Sequence, residues 1–137
     1  MSRIVAAAIA AVIALAVLAI PASARLDHHF SVITKRTSAH RSGDTFRFTE
    51  QLFATFNRHD QVGHDQVRCR ESRSHKFKCR ATVHLNGEVG GSGSLRVNGN
   101  IGRGDNRLNL VGGTGDFRGA AGKVVSHGKR LHFDVIR

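Results

Sequence analysis

The sequence predicts an all-β fold, an eight-stranded antiparallel up-and-down β-barrel preceded by a cleaved signal peptide. After Arg25 no segment keeps a 3.6-residue apolar period, whereas apolar and polar residues alternate by two in most stretches. Glycine-bearing turns separate about eight such stretches, a spacing typical of strands joined by hairpins. Closure into a barrel leaves no unpaired edge strand. A two-sheet sandwich is the alternative architecture.

Residues 1–24 have the layout of a signal peptide. A basic start at Arg3 precedes an apolar run over Ile4–Ile20 and the small residues Ala22–Ala24, so cleavage is expected after Ala24. An uncleaved anchor helix is the alternative, but it would need about 20 apolar residues and no cleavage site. We therefore expect a secreted or periplasmic protein with no transmembrane segment after cleavage. Its mature part, residues 25–137, is one domain.

The chain is strongly basic. It carries 21 Lys and Arg against 10 Asp and Glu, a formal net charge of +11, and removal of Arg3 with the leader lowers this by one. Such charge permits attraction to anionic surfaces. The outward residues Lys76, Lys78 and Arg80 thus support one alternative function, a basic protein that binds the envelope surface. Nucleic acid is not expected as the natural partner, because the protein is exported and lacks Tyr and Trp for base stacking.

The first two strands are predicted over His29–Lys35 and Asp44–Phe56. In the second, alternation by two places the apolar residues on one face and the polar ones on the other. The apolar face consists of Phe46, Phe48, Leu52, Ala54 and Phe56. Only Glu50, on that face, and Phe53, on the opposite one, break the pattern.

The third and fourth strands contain the two cysteines. A turn over Arg73–His75 folds the strand Lys76–Leu85 back on Gln61–Ser72, so that residues whose numbers sum to 148 face each other. Cys69 then faces Cys79. Export favours a disulfide between them, which would stabilise the fold by about 2–3 kcal/mol. Two buried free thiols are the alternative.

Four further strands follow, separated by glycine-bearing turns. The strands are predicted over Glu88–Val97, Arg107–Val111, Lys123–His127 and Lys129–Arg137. The turns are predicted at Asn86-Gly87, Asn98-Gly99, Gly102–Asn106, Gly112–Gly122 and His127-Gly128.

The glycine-rich segment Val111–Gly122 resembles the V-G-G-T-G-x-F-x-x-A-x-G signature of plant dirigent proteins and of the allene oxide cyclase barrel family. The resemblance extends upstream through Val62-Gly63, Cys69 and Gly93–Gly99, and it covers residues 44–135. It implies a secreted, bacterial-type member with an eight-stranded, lipocalin-like barrel. It also implies that a small apolar or aromatic molecule is held in the barrel and that the chain forms a homo-oligomer, a trimer or dimer.

The family's cyclase chemistry is not implied by this resemblance. The cyclase site relies on a tyrosine, and this chain has none. Ile101 stands where that tyrosine would fall, and the early-strand acid of the cyclases falls near Ser31 or Val32. Cys69 matches a cyclase pocket residue, but it is expected to pair with Cys79. A jasmonate-type cyclisation is therefore not expected.

The glycine-rich segment is predicted to be a structural loop at one rim of the barrel, where glycine supplies positive φ angles. Its motif residues are Gly112, Gly113, Thr114, Gly115, Phe117, Gly119 and Gly122. A phosphate cradle is not favoured, because the segment lacks the Lys-Ser/Thr of a Walker loop and a strand-to-helix context.

Glu50 is the most informative candidate site residue, because a carboxylate inside an apolar barrel is costly unless it is paired or protonated. Asp65 and Glu71 share the inward side of the next strand and could join it. Glu50 and Asp65 are therefore weak candidates for acid–base catalysis, although a rim position for Glu50 or its neutralisation by an inward Arg is the alternative. The predicted pocket lining is Phe46, Phe48, Glu50, Leu52, Phe77, Val83 and Leu95.

No metal site and no cofactor are predicted. The histidines, among them His28-His29, His59 and His64, are scattered, whereas zinc sites combine close ligands on one face. The favoured function is the binding of a small apolar molecule in the barrel. The alternatives are an isomerase or cyclase of the allene oxide cyclase type acting on an apolar substrate, and the basic envelope-surface protein described above. Whether any reaction is catalysed stays open, with binding favoured.

Overall fold

The computed structural model describes residues 27–137, which form one closed barrel of eight antiparallel strands, each paired with its neighbours in sequence and the last with the first. The strands are β1 (Asp27–Ser42), β2 (Thr45–Ala54), β3 (Gln61–Glu71), β4 (Phe77–Asn86), β5 (Ser92–Ile101), β6 (Asn106–Gly113), β7 (Ala121–His127) and β8 (Arg130–Ile136). The barrel prediction is confirmed, and the sandwich is excluded. The predicted signal peptide lies outside the described residues. Within residues 27–137 no helix is long and apolar enough to span a membrane.

The register of β3 against β4 agrees with the sequence prediction. Gly63 faces Leu85 and Glu71 faces Phe77, and Cys69 lies directly opposite Cys79. These two cysteines form a disulfide. Both point into the barrel and are buried, so the disulfide joins neighbouring strands from the inside.

Strand β1 is longer than predicted. It continues to Ser42, past the predicted end at Lys35, and pairs with β2 along this extension after a register shift between Arg36 and Ser38. The extension is exposed on both sides, so its residues need no apolar alternation, and alternation was the signal on which the prediction depended.

Two further predictions about strand ends are wrong. Asn98-Gly99, predicted as a turn, lies inside β5. Strand β6 approaches closely there, since a Cβ on Gly99 would lie 2.7 Å from Leu108 Cδ2 and 3.2 Å from Leu108 Cα. Phe56, predicted on the core face, is 81% exposed, because β2 ends at Ala54 and a hydrogen bond from Ala54 N–H to Asp60 O turns the chain away.

The core fills one end of the barrel, here called the closed end. Its largest fully buried side chains include Leu52, Val62, Leu95, Phe117 and Phe133. Phe117 comes from a short 3₁₀ turn, Gly115–Phe117, between β6 and β7. The glycine-rich segment approaches β5 closely, since a Cβ on Gly93 would lie 2.2 Å from the Thr114 carbonyl oxygen. The segment therefore closes this end.

Candidate ligand-binding site

A cavity of about 170 Å³ lies inside the barrel, between the closed end and the disulfide. Four polar side chains line one wall, namely Thr34 and Arg36 from β1, Glu50 from β2 and Asp65 from β3. Much of the remaining wall is apolar and includes Val83, Val97, Leu108, Val124, Leu131 and Phe133, with Asn98 on β5 and Ser126 on β7 as two further polar residues. A largely apolar cavity with a few polar groups is typical of small-molecule sites.

Glu50 and Asp65 lie directly opposite each other on β2 and β3. Alternation along each strand turns both side chains inward. Asp65 is only 2% exposed, and its Oδ1 atom has no hydrogen-bond partner among residues 27–137. An unpaired buried carboxyl oxygen is unusual, since leaving it so costs about 1–3 kcal/mol.

Burial is the main cause of a raised pKa at both carboxyl groups. The pKa of Asp65 is raised to about 7. Burial contributes most to the rise and the neighbouring charge of Glu50 adds to it, while a hydrogen bond to the Glu50 backbone and the charge of Arg36 lower this pKa in part. Burial also raises the pKa of Glu50, against the charge of Arg36 and a hydrogen bond with Thr34. Near neutral pH, Asp65 can therefore exist as a proton donor or as an acceptor.

Arg36 lies where the cavity approaches the rim. Its Nε atom is 3.9 Å from Glu50 Oε2, and half of its side chain is exposed. Its guanidinium carbon lies 4.1 Å from the centre of the Phe48 ring, a cation–π distance. Arg36 therefore supplies one positive charge beside the two carboxyl groups.

Three of the seven predicted pocket residues, Phe48, Glu50 and Val83, line the cavity. Phe46 and Phe77 also point inward, but they pack around the disulfide, beyond the cavity. Leu52 and Leu95 are fully buried in the core that fills the closed end. Alternation identifies which residues point inward, but it does not give their height along the barrel axis.

The structure separates Glu71 from the other two acids. Its Oε2 atom is 2.5 Å from Arg41 Nη2 in an ion pair, and Glu71 does not line the cavity. The sequence analysis did not identify Thr34 and Arg36 as site residues. Thr34 could have been found from the inward alternation with Val32, whereas Arg36 lies beyond the predicted end of its strand.

Two solved structures are similar to this barrel. One is a pyocyanin demethylase, with a TM-score of 0.62 and 16% sequence identity over 80% of this chain and 98% of that chain. The other is the pterocarpan synthase dirigent protein GePTS1, with a TM-score of 0.63 and 16% identity over 82% of this chain and 87% of that one. The chain shares their barrel fold.

This likeness supports, at the level of the fold, the resemblance to dirigent and allene oxide cyclase proteins noted in the sequence. The likeness shows the fold alone, since a shared fold does not determine a function. No protein-family model matches the chain, and no curated protein matches it.

Proposed function

We propose that the barrel binds a small, mainly apolar molecule carrying one polar group that hydrogen-bonds to Asp65. The observation that carries this proposal is the unpaired, buried Oδ1 atom of Asp65 on the wall of an otherwise largely apolar cavity. A ligand that supplies the missing hydrogen bond would remove the cost of leaving this oxygen unpaired.

The size of the cavity limits the ligand. An apolar cavity of about 150 Å³ is known to hold benzene, so a space of about 170 Å³ suits one substituted ring. The apolar wall would take the ring and the carboxyl side would take its hydroxyl or carbonyl group. Arg36 would favour a polar group with partial negative charge.

The test compares two probes of nearly equal size, phenol and toluene, by NMR titration of the mature domain. We expect phenol to bind more tightly, and Asp65→Asn to reduce that preference about tenfold, the loss of one good hydrogen bond. Glu88→Gln, an exposed change outside the cavity, is the matched control. Equal affinities for the two probes, or no binding of either, would contradict the proposal.

The natural ligand is best sought by native mass spectrometry of the full chain, expressed with its own residues 1–24 and followed by denaturing extraction. A retained small molecule of defined mass supports the proposal. The same spectrum tests two further proposals, that the mature chain begins at Arg25 and that it forms a dimer or trimer. The disulfide supports a secreted or periplasmic location.

An isomerase or cyclase is the second candidate, favoured by the opposed pair Glu50 and Asp65. A raised pKa near 7 at Asp65 suits a group that takes and returns a proton at neutral pH. Once the ligand is known, Asp65→Asn separates the two functions. A barrel that only binds converts the ligand neither before nor after this change, whereas a catalytic barrel converts it and loses turnover in the Asn variant.

The outer surface supports a third candidate, the binding of an anionic surface. Arg47, Arg68 and Arg80 lie directly opposite one another on β2, β3 and β4, and all three are exposed. Like charges in such positions are destabilising without a counter-charge. Lys76 and Lys78, which the sequence groups with Arg80 as outward basic residues, are exposed as well.

Retention on a sulfated polysaccharide column tests this candidate. We expect the triple change of Arg47, Arg68 and Arg80 to Gln to lower the salt concentration needed for elution. The control is a triple change of equal charge at the exposed residues Arg58, Arg103 and Lys129. If the two triple variants elute at equally lowered salt concentrations, the attraction depends on net charge alone.

A further inference from the structure

Three side chains with metal-ligating atoms meet on the outer surface of the strand pair β1–β8. His29 lies on β1, and His132 and Asp134 lie two residues apart on β8. The register sets His29 opposite Asp134 and Ser31 opposite His132. Because residues two apart on a strand share a face, all three side chains project outward at the same place.

The ligand atoms are already close to one another. His29 Nδ1 is 2.7 Å from Asp134 Oδ1, and His132 Nε2 is 3.2 Å from the same oxygen. All three atoms lie within 4.8 Å of one another. In a tetrahedral zinc site, with metal–ligand bonds of about 2.0–2.2 Å, neighbouring ligand atoms are ~3.3 Å apart. Side-chain rotation alone would therefore bring these atoms to that geometry.

Ser31 supports the orientation of His132. Its Oγ atom lies 2.7 Å from His132 Nδ1. When Nδ1 carries the ring proton and donates it to Ser31, the lone pair of Nε2 faces Asp134. Histidines that bind metals almost always have such a partner on the second ring nitrogen, so His132 has the surroundings that a metal ligand needs.

We propose that His29, His132 and Asp134 form a binding site for one divalent transition-metal ion, with Zn²⁺ as the best match. Two imidazoles and a carboxylate suit Zn²⁺, Cu²⁺ or Ni²⁺ and are a poor set for Mg²⁺ or Ca²⁺, which prefer oxygen ligands. Three protein ligands leave the fourth position to water or to a ligand from another molecule.

Two neighbouring cations lower the affinity of this site for a metal ion. Lys123 lies opposite Asp134 on β7, and Arg130 precedes His132 by two residues on β8. Both are cations on exposed positions. They weaken the binding of a metal ion, and added salt screens this repulsion.

No metal site is predicted from the sequence, in which the histidines are scattered. The ligands found here are far apart in the chain, since His29 and Asp134 are separated by 105 residues. Only the pairing of β1 with β8 brings them together. A bound ion would therefore link the first and last strands of the barrel, and it would bind the folded chain and not the unfolded one.

Isothermal titration calorimetry with Zn²⁺ on the mature, oligohistidine-free protein tests the proposal, together with thermal unfolding. We expect one Zn²⁺ per chain and a higher Tm with Zn²⁺, because the ion binds only the folded state. Mg²⁺ should give neither effect. Asp134→Asn and His132→Gln should each lower the affinity at least tenfold.

The chain contains a matched control. His127 Nδ1 lies 2.5 Å from Asp105 Oδ1, a His–Asp pair that no third ligand joins within the described part of the chain, so His127→Gln should leave Zn²⁺ binding unchanged. If His127→Gln lowered the Zn²⁺ affinity as much as His132→Gln does, the proposal would be overturned. It would also be overturned if Zn²⁺ left the Tm of the unaltered protein unchanged. If His132→Gln fails to fold, Asp134→Asn and Ser31→Ala keep the test decisive, since the latter should weaken binding without removing a ligand.

Discussion

Glu50 and Asp65 face each other across β2 and β3 with both carboxyl groups inside the barrel. Two carboxylates so close in a poorly solvated space cannot both ionise without cost. The pKa of both groups is raised, and that of Asp65, the more buried of the two, reaches about 7. The cavity therefore contains a neutral carboxyl group over much of the acidic pH range.

This pair makes the stability of the protein depend on pH. The pKa of Asp65 is about 7 in the folded chain against an ordinary value of 3.8. Between these values the folded chain keeps a proton that the unfolded chain has released, so the free energy of unfolding falls as pH rises. The fall is at most about 1.4 kcal/mol per pH unit for this group. Urea unfolding at pH 5, 6, 7 and 8 would measure it.

Asp65→Asn should remove most of this slope and make the protein more stable than the unaltered chain at pH 8. Glu88→Gln, an exposed acid, should leave the slope unchanged. If the Asn variant kept the full slope, Asp65 would not be the group that titrates.

The disulfide between Cys69 and Cys79 should contribute about 2–3 kcal/mol to the free energy of unfolding. A reducing agent should lower the stability of the unaltered protein by that amount, measured by urea unfolding, and have no effect on a variant with both cysteines changed to Ser. That variant should lose at least as much, because it also buries two hydroxyl groups. A reduced protein, verified by thiol labelling, with unchanged stability would contradict the expectation.

Gly63 is required by a close backbone approach. A Cβ at this position would lie 1.9 Å from the His84 carbonyl oxygen on β4, so Gly63→Ala must displace a paired strand. We expect a loss of about 2–3 kcal/mol, similar to overpacking of a core. Gly102→Ala is the control, because a Cβ there meets nothing within 4 Å. If the two variants had similar Tm values, the close approach at Gly63 would not be what requires glycine there.

Phe117 closes one end of the barrel and is fully buried. Phe117→Ala should cost about 3–5 kcal/mol and extend the cavity towards that end, which binding of a hydrophobic fluorescent dye would report. Phe56→Ala removes the same atoms from an exposed position and should change stability by no more than about 0.5 kcal/mol. If Phe117→Ala lowered the free energy of unfolding only slightly, the glycine-rich segment would not be what closes this end.

The sequence carries most of the information on strand order and register, because both follow from local alternation. For β3 and β4, the alternation of apolar residues and the pairing of Cys69 with Cys79 indicate the same register. The predictions are wrong where a local pattern typical of one structure occurs in another. The Asn98-Gly99 pair has the residue types of a hairpin turn, although it lies inside β5, where Leu108 of β6 comes close to the glycine.

The candidate site was less predictable than the fold. The inward direction of Glu50 and Asp65 follows from alternation, but their position in a cavity depends on how the strands are staggered around the barrel. That stagger is set by many pairings together, and it places Leu52 in the core and Val83 on the cavity wall. Arg36 reaches the site only because β1 continues beyond its apolar part.

The pairing of β1 with β8 also determines when the molecule can fold. Asp27 lies opposite Ile136, so the first strand finds its second partner only after nearly the whole chain is present. A growing chain can form hairpins, but it keeps two open edges, which are prone to association with other chains. Topologies with such distant contacts fold slowly. The same adjacency means that a short linker could join Asp27 to Ile136, and new ends opened at the exposed turn around Gly128 would give a permuted barrel with unchanged strand pairing.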